Sequence, residues 1–102
     1  MSRMHFNEAA ILLHQSDNVA VLKRTLKQGD ELIGAVTLRT SQTVPAGHKI
    51  AIRNISSGEL IKKYGQLIGV AVADIAPGEH VHTHNTLFPY TTLFRSNRKS
   101  VV

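Results

Sequence analysis

Four glycine-centred turns divide this chain into short segments. In each turn a glycine follows a small or turn-forming residue, and a polar and then an apolar stretch comes next. Successive turn glycines are 18, 11 and 20 residues apart, a spacing too irregular for a solenoid repeat. The four turns are Gln28-Gly29-Asp30, Ala46-Gly47-His48, Ser57-Gly58-Glu59 and Pro77-Gly78-Glu79. Because proline presets a negative φ and glycine accepts a positive one, Pro77-Gly78 suits the central pair of a type II turn.

Short runs rich in valine, isoleucine and leucine lie between these turns. Small and β-branched residues alternate at 69–73, which is typical of a strand buried against close neighbours. Two stretches are ambiguous: 6–14 has helix formers for one or two helical turns, and 58–65 fits either a short helix ended by Gly65 or a strand. The predicted strands are 19–22, 32–38, 49–52, 67–73 and 80–83. Frequent turns between short strands predict a compact, mainly β domain with little helix.

The composition fits one soluble globular domain. Of the 102 residues, 42% are hydrophobic and 19% are charged, which is enough apolar surface for a modest core. No apolar run reaches the roughly 18–20 residues that a membrane helix needs, and the N-terminus has no signal-peptide pattern. The absence of cysteine excludes disulfides, thiolate catalysis and cysteine-ligated zinc. We therefore expect a cytoplasmic protein with no membrane partner.

The net charge of +5 does not indicate nucleic-acid binding. Residues 86–102 contribute three of the twelve basic residues and none of the seven acidic ones, which leaves +2 for residues 1–85. That part of the chain has no basic stripe, so the charge that drives affinity for phosphates is weak. The chain has no tryptophan and few other aromatic residues, so a base-stacking platform is also missing. We expect no nucleic-acid partner.

The stretch His80-Val81-His82-Thr83-His84-Asn85 contains three of the six histidines. Residues two apart point to the same face of a strand, so a regular strand would align these three imidazoles. Neutral imidazole is a common metal ligand and also moves protons near neutral pH. The spacing therefore indicates a site for a cation or an anionic ligand. The alternative is an exposed strand edge that carries histidines without a ligand.

Three motifs in a fixed order give the chain a family resemblance. They follow the stretch His14–Val21 (HQSDNVAV) and are PAGHKIA at 45–51, KYGQLIG at 63–69 and GEHVHTHN at 78–85. Together they resemble the SAF domain of the altronate/galactarate dehydratase family, over about residues 11–85. In that family the domain is N-terminal or forms a separate small subunit, and a related small subunit occurs in sulfolactate sulfo-lyase. The resemblance implies a β-clip fold, a compact domain of long, bent two-stranded ribbons.

The resemblance also implies a reaction, the dehydration of a sugar acid. A proton leaves carbon 2, hydroxide leaves carbon 3, and the enol becomes a 2-keto-3-deoxy acid. A divalent cation, Fe²⁺ or Mn²⁺, would hold the carboxylate and stabilise the enediolate, while a base and an acid move the protons. His82 and His84 are the first candidates for metal ligands and His80 the second. Asn85 is expected to bind a carboxylate or hydroxyl of the substrate through its amide.

Four further residues are predicted to be catalytic. His48 follows a turn glycine, with a surface position as the alternative, and Lys63 can act as electrophile or base if burial lowers its pKa. Tyr64 can donate a proton to the leaving hydroxyl, or it can pack in the core with its hydroxyl at the surface. His14 is the fourth, as a base. Lys49 can neutralise a substrate carboxylate, or it is a solvated strand residue.

Asp17 and Asn18 lie close to His14 in the sequence and are predicted substrate contacts. The Asp17 carboxylate would orient His14 as a base. The alternative is that both side chains close a local turn by hydrogen bonds to the backbone.

The predicted domain covers residues 1–85, and residues 86–102 form a tail. The tail repeats Thr-Leu-Phe and matches nothing in the family, so we expect it to be foreign or disordered. We expect the domain to need a large catalytic subunit or domain and a sugar acid as substrate, and the sequence leaves open a homo-oligomer. Two alternatives stay open: a small subunit of a sulfolactate-type sulfo-lyase, in which sulfite leaves, and a SAF module that binds without catalysis.

Overall fold

A computed structural model of the chain describes residues 3–34 and 36–87. These residues form short strands and one helical turn, so the predicted mainly β domain with little helix is confirmed. The elements are β1 Arg3–His5, α1 Phe6–Ala9, β2 Ala10–Ile11, β3 Val19–Leu22, β4 Glu31–Ile33, β5 Leu38–Arg39, β6 Lys49–Ala51, β7 Leu60–Lys63, β8 Gln66–Ala71, β9 His80–Val81 and β10 Thr86–Leu87. In the described residues no helix is long and apolar enough to cross a membrane.

The strands pair into three small sheets. Their orders are β1-β4-β5, β2-β3-β6-β9 and β10-β8-β7, and only the β1–β4 pair is parallel. The four-stranded sheet lies between two hydrophobic cores, because neighbouring residues on its strands point to opposite faces. Ile50 joins the first core, while its neighbour Ala51 joins the second. Val81 on β9 is also fully buried in the second core, which anchors the strand that starts the histidine stretch.

The four predicted turns share one geometry. Each begins two or three residues after a fully buried aliphatic side chain, and these residues pair across the domain as Leu26 with Val44 and Ile55 with Ile75. The turn glycines have φ between 84° and 91°, the positive values that the sequence predicted for Gly78. Each turn glycine donates its N–H to a carbonyl of the paired segment, as Gly78 does to Ala51 at 2.8 Å. The turns therefore hold the two segments of each pair together.

The two ambiguous segments take different structures. Residues 6–14 contain one helical turn, α1, which ends because the chain becomes extended at Ala10. Residues 58–65 contain β7, so the strand alternative is right and the helix alternative is wrong. Pairing with β8 decides this, and Tyr64 and Gly65 close the hairpin with positive φ at both positions. Positive φ at both central residues is the requirement of a type I′ turn.

Two predicted strands are much shorter in the structure, and the predicted strands 49–52 and 67–73 end one and two residues early, at Ala51 and Ala71. The run 32–38 divides into the end of β4 and the start of β5, separated by Gly34 at φ 147°. The run 80–83 ends as β9 at Val81, because the next residues form a turn. The third sheet continues through Thr86 and Leu87, two residues past the predicted domain boundary. The rest of the predicted tail, 88–102, lies outside the described residues.

Candidate metal centre

Asn85 fixes the backbone that carries the histidine stretch. Residues 82–85 form a turn in which the Asn85 N–H donates to the His82 carbonyl at 3.0 Å. The Asn85 side chain is buried, with 3% of its surface exposed. Its Oδ1 accepts the His82 N–H at 3.0 Å, and its Nδ2 donates to the His80 carbonyl at 2.8 Å. The amide therefore supports the turn, and its contact with a substrate stays a prediction.

His48 lies beside the histidine stretch because β6 pairs with β9. That pairing sets Ile50 opposite His80, and His48 immediately precedes β6. His48 Nδ1 is 2.9 Å from His80 Nε2, a hydrogen bond in which one nitrogen carries the proton and the other accepts it. The His82 ring stacks on both, with centroids 5.2 Å from His48 and 4.9 Å from His80. Three imidazoles, one from β9 and two from residues directly beside β6 and β9, thus lie together.

The three imidazoles of His48, His80 and His82 fit a single metal ion. Their candidate ligand atoms all lie within 4.8 Å of one another. Nitrogen ligands about 2.1 Å from one ion are about 3–4 Å apart, so the observed cluster needs little contraction. Imidazole suits Fe, Zn, Cu and Ni, which makes the donor set chemically suitable for a divalent transition metal. We name these three residues the histidine triad.

The triad differs from the ligand set that the sequence favoured. His84 lies at its edge, with ring centroids 5.7 Å from His80 and 6.4 Å from His82. His48 takes part instead, although its sequence signal predicted a catalytic role. The signal that could have found it is its position directly after a turn glycine. The other three turns carry Asp30, Glu59 or Glu79 at that position, and only this one carries a histidine.

Burial and neighbouring positive charges keep His80 neutral. Burial, and to a lesser extent repulsion from the other histidines of the cluster and from Lys49, together lower the pKa of His80 from 6.5 to about 4. A neutral ring keeps its lone pair available, which a metal ligand needs near neutral pH. Burial also lowers the pKa of the Lys49 ammonium, followed by repulsion from Lys63. Lys49 therefore interacts electrostatically with both the triad and Lys63.

The metal-free protein is expected to lose stability between pH 6.5 and about 4 because of His80. In that window the unfolded chain binds a proton that the folded state rejects, so the free energy of unfolding falls as pH falls. His80 is partly exposed, so we expect about 1 kcal/mol, less than the full pKa shift would give. Urea unfolding at neutral pH and at about pH 5 measures this in wild type and His80→Gln. An equal pH dependence in the two proteins would contradict the assignment, and His84→Gln is the matched control.

Asp17 and Asn18 hold a hairpin in place. The Asp17 carboxylate, 3% exposed, accepts the N–H of Tyr64 at 2.9 Å and of Gly65 at 2.8 Å. Asn18 accepts the Lys62 N–H at 2.8 Å and donates to the Leu60 carbonyl at 2.8 Å. The alternative that these side chains close a local turn is wrong, since their partners are 42–48 residues away. Their predicted substrate contacts stay predictions.

The tip of this hairpin presents Tyr64 to solvent. Tyr64 is 63% exposed and has φ 62°, so the alternative that it packs in the core is wrong. The His14 ring lies against Gly65, where an added Cβ would be 3.2 Å from the ring. His14 Nδ1 is 2.8 Å from Ser16 Oγ, which orients the imidazole. In residues 3–34 and 36–87, the ring contacts of the triad do not extend to His14 or Tyr64.

Replacing Asp17 with asparagine is expected to lower the free energy of unfolding by about 2 kcal/mol. The buried Asp17 carboxylate accepts two backbone N–H groups, from Tyr64 and Gly65. In the variant the negative charge is lost, and the amide NH₂, itself a donor, faces one of these two N–H groups. Asp74→Asn is the matched control, because the Asp74 carboxylate is exposed and accepts the backbone N–H of Ser57 at 2.8 Å. Urea unfolding measures both, and equal losses would contradict the structural role of Asp17.

A small β domain with a three-imidazole candidate metal centre is the class that the fold and site define. The model of the altronate/galactarate dehydratase SAF domain matches residues 8–88 of the chain. The chain therefore belongs to this family of SAF domains, and the resemblance predicted from the three motifs is confirmed.

Named relatives agree with this assignment. Altronate dehydratase from Escherichia coli is 47% identical over 77 residues, which are 74% of this chain and 16% of that enzyme. (2R)-Sulfolactate sulfo-lyase subunit alpha from Chromohalobacter salexigens is 36% identical over 83 residues, 72% of this chain and 88% of that subunit. Galactarate dehydratase (L-threo-forming) from Escherichia coli is 32% identical over 81 residues, 78% of this chain and 15% of that enzyme. The chain thus spans less than a fifth of the dehydratases and most of the sulfo-lyase subunit.

Proposed function

We propose that this chain is the small subunit or N-terminal domain of a sugar-acid dehydratase of the altronate/galactarate type. In this proposal it contributes to a composite, metal-dependent active site that forms a 2-keto-3-deoxy acid. The observation that carries the proposal is the histidine triad, whose candidate ligand atoms lie within 4.8 Å of one another in a chain of this family. The relatives named as dehydratases support the reaction class.

His48, His80 and His82 would hold the cation in this proposal, with His84 beside them. The cation, Fe²⁺ or Mn²⁺, would polarise the substrate carboxylate and stabilise charge that develops on it. Asn85 keeps His80 and His82 in place through its two backbone hydrogen bonds. Lys49 adds a positive charge next to the triad, which suits attraction of an anionic sugar acid.

The hairpin tip would supply the proton-transfer groups. Tyr64 is exposed, and its hydroxyl could donate to a leaving hydroxyl, while His14 and Lys63 are the candidate bases. Asp17 limits the motion of this tip by binding two of its backbone N–H groups. A preorganised tip can act only on a substrate that is held against it. We assign the holding of the substrate to a larger catalytic domain.

The large partner is the second part of the proposal. The chain spans 16% of the Escherichia coli altronate dehydratase and 15% of the galactarate dehydratase, so most of each enzyme lies outside the matched segment. We infer that a catalytic subunit or domain of that size completes the site, in the cytoplasm. The chain alone is then nearly inactive.

A sulfo-lyase subunit is the second candidate. The match to 88% of the sulfo-lyase alpha subunit favours it, because nearly all of that subunit aligns with this chain. In that case sulfite leaves in place of hydroxide. A SAF module that binds without catalysis is the third candidate function, and it does not account for the histidine triad.

Complementation of a truncated relative tests the proposal. Escherichia coli altronate dehydratase without its matched segment is expected to gain activity on altronate when this chain is added, and the chain alone to release no product. The His48→Ala/His82→Ala double variant is expected to restore none of this activity, because it removes two triad members. Sulfite release from sulfolactate with a sulfo-lyase beta subunit would favour the second candidate. A complex that forms without either activity would contradict both.

A further inference from the structure

The residue after the turn glycine has a structural task in three of the four turns. Its carboxylate accepts the backbone N–H of the residue three positions earlier. These bonds are Asp30 to Lys27 at 2.9 Å, Glu59 to Ser56 at 3.0 Å and Glu79 to Ala76 at 2.9 Å. Each bond holds one carboxylate oxygen against the side chain's own turn, although the other oxygen of Glu59 still pairs with Arg53 at 3.2 Å.

The turn at Gly47 has the same backbone without this bond. The His48 N–H donates to the Pro45 carbonyl at 3.2 Å, as the corresponding N–H groups do in the other turns at 2.8–3.0 Å. Gly47 has φ 84°, close to the other turn glycines. The residue three positions before His48 is Pro45, which has no N–H to donate. The His48 ring instead reaches His80, 2.9 Å away.

In two other histidines of this chain, the ring Nδ1 accepts a hydrogen bond from a nearby backbone N–H. His14 Nδ1 accepts the Ser16 N–H at 3.1 Å, and His5 Nδ1 accepts the Asn7 N–H at 3.2 Å. A local backbone donor therefore captures Nδ1 in two of the six histidines. His48 uses the same atom, Nδ1, to contact His80. A donor at position 45 would compete for that atom.

We propose that Pro45 is a positioning residue for the histidine triad. In the three other turns a backbone N–H at this position binds the side chain that follows the glycine. Pro45 has no such N–H, so His48 Nδ1 can contact the other rings of the triad. The ligand part of this inference rests on the proposed function, whereas the hydrogen bond between His48 and His80 does not. Pro45 is not itself a ligand of substrate or metal, and it acts through His48 alone.

Pro77 provides the matched control. It also lies in a glycine turn and is also exposed, but it follows Ala76, which keeps the N–H that binds Glu79. Pro45→Ala restores the missing donor next to His48, while Pro77→Ala adds a donor at a different turn position. Both substitutions remove one proline from an exposed loop, so their effects through the unfolded chain are similar.

The test records the ring nitrogens of His48 by ¹⁵N NMR in metal-free protein, and titrates the same samples with Mn²⁺. We expect Pro45→Ala to change the His48 Nδ1 shift and to weaken Mn²⁺ binding by about 3- to 10-fold through competition for one ligand atom. Pro77→Ala is expected to leave both within error. Unchanged His48 shifts in Pro45→Ala would overturn the inference. Changed shifts in a protein that binds no Mn²⁺ would support Pro45 and contradict the proposed metal centre.

A second experiment reverses the substitution. His48→Glu gives this turn the carboxylate of the other three, and that carboxylate finds its N–H only when position 45 is alanine. We expect His48→Glu to raise the thermal midpoint by at least about 4 °C more in the Pro45→Ala background than with Pro45 present. Equal shifts in the two backgrounds would overturn the inference, because Pro45 would then not control that hydrogen bond.

Discussion

Replacing His48 with alanine is expected to weaken Mn²⁺ binding by the chain about 100-fold or more, or about 2.8 kcal/mol. His48 supplies one of three imidazoles whose ligand atoms lie within 4.8 Å, and a site with two remaining histidines holds the ion poorly. The substitution leaves the turn intact, because the His48 backbone N–H still donates to the Pro45 carbonyl. Isothermal calorimetry of metal-free protein at neutral pH measures the affinity, with Fe²⁺ in an anaerobic repeat.

His84→Ala and His5→Ala are the controls for this result. His84 lies at the edge of the triad, with its ring centroid 5.7 Å from His80, so we expect a loss of about 3-fold or less. The His5 side chain accepts the Asn7 N–H and lies outside the triad, so its replacement leaves Mn²⁺ affinity unchanged. If His84→Ala instead removes binding and His48→Ala does not, the ligand set favoured by the sequence is right and the triad is wrong.

Local spacing predicts part of the arrangement of the histidine stretch. Spacing alone predicts that His80, His82 and His84 lie together, and their rings do lie within 6.4 Å of a neighbour. The reason given by the sequence is wrong, because the strand ends at Val81 and a turn held by Asn85 sets the later rings. His48 is 32 residues from its partner His80, and only the pairing of β6 with β9 brings the two together.

The hydrogen-bond partners of Asp17 and Asn18 also could not be predicted from the local sequence. Their sequence predicts a local turn or a substrate site, since both side chains commonly bond to nearby backbone. Their partners are instead on the β7–β8 hairpin, 42–48 residues later in the sequence and beyond four intervening strands. Glycine turns and strands were predictable because φ preferences and β-branched side chains act within a few residues. Long-range hydrogen bonds depend on the assembled fold and leave no local pattern.

Gly78→Ala is expected to destabilise the domain by about 3 kcal/mol or more. Gly78 has φ 85°, and an added Cβ there would overlap the Arg39 carbonyl oxygen, with the Arg39 carbonyl carbon 2.9 Å away. Both obstacles are backbone atoms, which cannot swing aside as a side chain can. The turn would have to withdraw from the end of β5, and the Gly78 N–H bond to the Ala51 carbonyl would be strained. A domain of this size would lose about 12–24 °C in thermal midpoint.

Gly58→Ala separates the effect of this contact from the effect of φ. Gly58 has φ 91° in the equivalent turn, and an added Cβ there would meet no heavy atom of the described residues within 4 Å. Its replacement therefore costs only the unfavourable backbone conformation, about 1–2 kcal/mol. Thermal and urea unfolding of the two variants give the difference directly. Equal losses would contradict the close packing of the turn at Gly78 against the Arg39 backbone of β5. A larger loss at Gly78 would establish that this turn must be glycine for space as well as for conformation, because the backbone of β5 occupies the volume of a methyl group.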